Sequence, residues 1–139
     1  MRKFITILII AFVIVTSCNN DNEAKPKDTG IVGTWKLTES FGYDGAGTQW
    51  TSIKNGYTYT FKSDGTFTAT QFATCTRGTY KFENATLTMI YVCIDPTTMG
   101  EKPGATLIEN CKIENGKMYL SPTNLVCDEG CISKFSKIK

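Results

Sequence analysis

The chain has 139 residues, six cysteines, no histidine and a formal net charge of +2. A charge so near zero, without a basic stripe, argues against nucleic acid as a partner. The absence of histidine removes Ser-His-Asp and Cys-His arrangements, the commonest routes to an activated nucleophile.

Met1-Arg2-Lys3 places two positive charges ahead of an apolar run of 12 residues, 4–15, interrupted only by Thr6. That is the n-region and h-region pattern of an export signal. The run falls short of the roughly 20 residues a membrane-spanning helix needs, and the chain turns polar at Asn19-Asn20-Asp21-Asn22-Glu23. Val15-Thr16-Ser17-Cys18 resembles the lipobox of bacterial lipoproteins, an aliphatic residue and two small ones before the cysteine that receives diacylglycerol. The resemblance implies a signal peptide over 1–17, lipidation of Cys18 and acyl chains that hold the protein to a membrane. An ordinary signal peptide cleaved near Ser17 is the alternative. The acidic start of the mature chain is similar to surface-export tags of Bacteroidetes lipoproteins, and equally reads as a solvated tether. Loss of 1–17 removes Arg2 and Lys3, leaving 13 basic against 13 acidic residues. Residues 18–30, with Lys25-Pro26-Lys27-Asp28, read as a flexible tether, and 31–139 as one domain. The expected location is the cell envelope, at an outer-membrane lipid anchor on the periplasmic or cell-surface face.

From Ile31 onward short β-branched and aromatic runs alternate with Gly, Asn and Asp, and no helical period is sustained. Eight strands are predicted, over 31–39, 56–62, 66–73, 78–82, 86–93, 105–113, 117–121 and 131–138. Tyr57-Thr58-Tyr59-Thr60-Phe61 shows the clearest two-residue alternation. In the last strand Phe135 and Ile138 differ in parity, which calls for a bulge or twist. Short turns at 63–65, 83–85 and 114–116 alternate with long loops at 40–55, 94–104 and 122–130, and with a shorter one at 74–77. In an antiparallel up-and-down meander alternate connections fall at one end. One end is thus tightly closed and the other carries the large loops. Closure into an eight-stranded barrel removes the exposed edges of an open sheet.

Gly33-Thr34-Trp35, the long first loop, Phe61 with Asp64-Gly65, Gly78 with Tyr80, and Met118 with Leu120 resemble the lipocalin-like domains of Bacteroidetes lipoproteins. The resemblance covers about four-fifths of the precursor. It implies a barrel floor formed by Gly33 and Trp35, with the tryptophan under a basic side chain of the last strand. That side chain is usually arginine, but no arginine follows Arg77, so Lys134 or Lys137 has to serve. Read from the residues alone, Trp35 is a core aromatic.

Five cysteines follow Cys18, in a compartment where disulfides persist. The meander puts Cys75, Cys93, Cys127 and Cys131 at the long-loop end and Cys111 toward the closed end. Two disulfides among those four are expected, with Cys111 a buried free thiol. Cys75 with Cys93 and Cys127 with Cys131 is the sequence-local pairing, and the other pairings stay open. Cys127-x-x-x-Cys131 has tolerable spacing for two thiolate ligands, but no metal is expected without histidine in an oxidising compartment. No cofactor and no enzymatic activity are expected either. Most carboxylates fall in turns, where turn chemistry accounts for them. Glu109 is the exception: it shares parity with Leu107 and Cys111 and points into the barrel, unless the register is misread.

Two functions remain. The first is a carrier or sensor of a small, mainly apolar molecule, with Tyr43, Trp50, Tyr57 and Tyr59 near the mouth and Phe41 beside them on the mobile first loop. The second is a non-enzymatic tethered interaction module, an envelope-stabilising protein or an enzyme inhibitor, that uses the loops around Trp50, Met99 and Asn124. Large side chains filling the barrel from both ends would remove the carrier.

Overall fold

The computed structural model describes residues 30–43, 45–95, 97, 100–123 and 130–139. The signal segment, Cys18, the tether through Thr29, Met99, Asn124 and Cys127 lie outside the described residues. The described chain is all β. Nine strands follow in order: β1 (Gly33–Tyr43), β2 (Thr48–Ser52), β3 (Thr58–Phe61), β4 (Thr66–Ala69), β5 (Arg77–Glu83), β6 (Thr86–Ile94), β7 (Glu101–Glu114), β8 (Lys117–Pro122) and β9 (Ile132–Lys137). Every pairing is antiparallel, and β1 pairs with β9 to close β1 and β3 to β9 into an eight-stranded barrel.

The remaining strand, β2, corrects the expectation of a loop over 40–55. β1 runs on to Tyr43, and β2 pairs back along it from Glu39↔Ser52 to Tyr43↔Thr48. β2 lies on the same edge of β1 as β3, so the two form a hairpin arm that extends the wall above the barrel. Glycines fall at the arm's tip, where Gly45 and Gly47 have φ of 95° and 158°. A second correction concerns β7, which begins at Glu101 and includes Pro103, with a register shift between Ile90 and Val92 on its partner. Ile138 needs no bulge in β9: the strand ends at Lys137 and Ile138 is exposed.

The short turns are set by local chemistry. Asn84-Ala85 and Asn115-Gly116 hold positive φ at both central positions, the turn whose twist matches paired strands. At 63–65 the Asp64 carboxylate accepts hydrogen bonds from the amide and hydroxyl of Thr66 at 2.9 and 2.6 Å. Those bonds hold its pKa below the usual carboxylate value.

The core occupies the turn end. Trp35, Phe61, Phe67, Leu87, Met89, Met118 and Phe135 are buried there, with Ile31 plugging the base. Trp35 donates its indole N–H to the Ile31 carbonyl at 2.7 Å, and the Lys137 ammonium sits 5.2 Å from the ring centroid. Lysine therefore occupies the place of the expected arginine. Gly33 makes this possible: a Cβ there would come within 2.5 Å of the Lys139 carbonyl and 2.6 Å of the Lys137 side chain. Each large apolar side chain buried in this floor contributes about 1.5–3 kcal/mol.

Candidate ligand-binding cup

Above the floor the barrel is hollow. A cavity of about 710 Å³ opens at the long-loop end, with Tyr57, Tyr59, Leu107, Glu109, Leu120 and Ser133 in its walls and Tyr43 and Cys131 at its rim. Ligand pockets commonly measure about 300–1,000 Å³. The aromatic wall is continuous with the floor, since Tyr59 packs on Phe61, Phe67 and Phe135 with centroids 5.5 to 6.3 Å apart.

A polar cluster marks the boundary between floor and cup. Tyr59 donates its hydroxyl to the Gln71 side-chain oxygen at 2.7 Å, and Tyr91 donates to the same oxygen at 3.2 Å and lies 3.3 Å from the Tyr59 hydroxyl. Burial raises the pKa of Tyr57, Tyr59 and Tyr91 above the usual value, that of Tyr91 to about 12. Gln71 comes from the segment 70–76 between β4 and β5. That segment is fastened by the Cys75–Cys93 disulfide and by the Ile94 amide on the Thr74 carbonyl at 2.7 Å.

Glu109 projects from β7 into the cup, as its parity with Leu107 indicated. Its carboxylate accepts no hydrogen bond and joins no ion pair among the described residues. Burial alone pushes its pKa up to about 7. Deeper on the same face Cys111 is a buried free thiol, pushed up to about 12 by burial and then by the Glu109 charge. Cys131 is disulfide-bonded, and its expected partner Cys127 lies outside the described residues. No cluster of three or more Cys, Asp or Glu that could hold a metal occurs among the described residues.

Residues 31–127 match the family of lipocalin-like domains. The chain belongs to that family. No curated protein and no solved structure matches it significantly.

Within the lipocalin-like barrel three of the four aromatics expected near the mouth, Tyr43, Tyr57 and Tyr59, line the cup. Trp50 is the correction. It stands on the outer face, its ring 4.3 Å from the Lys134 ammonium, 5.3 Å from Phe41 and 6.2 Å from Tyr119. The cause is a register shift between Leu37 and Glu39, which reverses the inward and outward alternation along β1. Beyond it Glu39 faces outward to bond Lys134 at 2.7 Å, and Trp50, opposite Phe41, follows the outward set. Spacing alone did not reveal Gln71, Tyr91 or Ser133. Tyr91 carried a signal, its parity with Leu87 and Met89, whereas Gln71 is a single polar residue in a connection and carried none.

Proposed function

We propose that this lipocalin-like protein is a non-enzymatic carrier or sensor that holds one small molecule with an apolar body in the cup. The observation that carries this reading is the asymmetry of filling: among the described residues most of the large buried side chains pack at the turn end, and the long-loop end keeps an open cavity of about 710 Å³. An eight-stranded barrel has room for about one small ligand. The N-terminal sequence supports the further proposal that the protein is exported and anchored by lipid at Cys18 to the outer membrane, as a lipoprotein of the Bacteroidetes type. Mass spectrometry of the mature protein tests this, and an unmodified N-terminus other than Cys18 would refute it.

Titration with a hydrophobic fluorescent probe tests the cup. The wild type is expected to bind saturably at one site, Ser133→Trp to abolish binding by filling the mouth, and Trp50→Ala to leave affinity unchanged. Probe binding that persists in Ser133→Trp and vanishes in Trp50→Ala would transfer the function to the outer face. One observation favours that second reading, the interaction module. Trp50, 39% exposed, borders an outer groove of about 730 Å³ with Tyr119, Ile132 and Lys134.

A further inference from the structure

Resting on the ligand-binding reading, we infer that the cup selects a cation: an amphiphile with an ammonium head beside Glu109 and an apolar body along Leu107 and Leu120. The lining is lopsided in charge. Among the described residues Glu109 is the single carboxylate in the wall, and no lysine or arginine lines the cavity. A carboxylate even partly withdrawn from water without a partner is costly, and among the described residues no cation or hydrogen-bond donor offsets that cost. The neighbouring polar groups are already committed, because the hydroxyls of Tyr59 and Tyr91 both turn to Gln71. What the tyrosines leave to the cavity is ring surface. Tyr57 presents a half-buried ring to the same cavity as the carboxylate, and the buried Tyr59 ring stands against it at 80° with centroids 5.3 Å apart. Aromatic rings joined to a carboxylate are the groups that recognise an ammonium ion in a partly dry site.

Other ligand classes fit less well. An anion would meet the Glu109 charge with no base among the described residues to compensate. A neutral alcohol would gain the apolar wall and donate one hydrogen bond to the carboxylate, but would leave its charge uncompensated.

Among the described residues the groups facing Glu109 are Tyr57 just ahead of β3, Tyr59 from β3, Tyr91 from β6 and Cys111 on its own strand. Leu120 and Pro122 from β8 and Ser133 from β9 carry no titrating group. The phenols and the thiol are shifted above their usual values, which leaves Glu109 as the group that changes charge near neutrality.

The test uses the full chain and three probes with the same tail, octylammonium, octanol and octanoate, titrated calorimetrically near pH 8 and near pH 5. Near pH 8 octylammonium is expected to bind about ten-fold tighter than octanol, with octanoate weakest, and linkage to the Glu109 proton should erase that preference near pH 5. Glu109→Gln should bind octylammonium and octanol alike at both pH values. The wild-type pH comparison needs no variant and stands even if the substitution disturbs folding. Octanol or octanoate matching octylammonium near pH 8 would overturn the cation and leave the carrier intact. Failure of all three to bind would overturn the carrier and the cation together.

Discussion

The two halves of the barrel are built from the same strands and solve opposite problems. In the lower half every inward side chain meets another: Phe135 lies 5.5 and 5.6 Å from Tyr59 and Tyr57, and Phe61 lies 4.9 Å from Tyr80. In the upper half the inward positions of those strands carry Ser40, Gly42, Glu109 and Ser133, which are too small or too polar to fill the space. Stability thus resides at the turn end, and the mouth is free to carry groups that a folding core would reject. Tyr59 stands on the border, with its ring in the floor and its hydroxyl in the polar cluster.

The largest expected effect tests this division directly. Phe135→Ala removes an aromatic from the packed floor and should cost about 3–5 kcal/mol in chemical denaturation. Leu107→Ala, on the half-open cup wall, should cost about 1 kcal/mol. Equal losses would mean that the two halves share one core.

Next in size is the fastening between the halves. Replacing Cys75 and Cys93 together by serine should cost about 2–4 kcal/mol. It should also weaken probe binding, because the segment carrying Gln71 is released. An unchanged affinity would show that the backbone bonds Ala69 N–H to Thr76 carbonyl and Ile94 N–H to Thr74 carbonyl hold the segment unaided.

The smallest effect lies in pH. The folded-state pKa of Glu109, about 7, is above the ordinary unfolded value, so folding favours the protonated acid. Its contribution is complete below about pH 4.3 and is lost as pH rises through about 7. Glu109→Gln should therefore match the wild type near pH 4 and exceed it near pH 8 by about 1 kcal/mol, a figure kept low because water reaches the mouth. A variant less stable than wild type near pH 8 would mean that the carboxylate has a partner.

The lower half was the more legible in sequence. Alternation in Tyr57 to Phe61 and the parity of Cys111 follow from a two-residue period, and the three short turns follow from the local chemistry of Asp, Asn and Gly. The upper half was less so, because its features depend on register. A single shift between Leu37 and Glu39 decides that Trp50 faces outward, and no residue type announces it. Glycines at 42, 45 and 47 resemble a loop equally well whether they form one or cap a hairpin. Gln71 acquires its role only once the disulfide brings it over the tyrosines.

Both ends of the described domain meet beneath the floor. The Thr34 amide bonds the Lys139 carbonyl at 2.9 Å, and the Lys137 ammonium reaches the Gly30 carbonyl at 3.4 Å. Whatever precedes Gly30 thus joins the barrel at its sealed pole, opposite the opening. On the proposed anchor the point of attachment and the mouth of the cup therefore lie at opposite poles of the domain. A guest would reach the cup without passing the tether, and the tether would not compete with it for the opening.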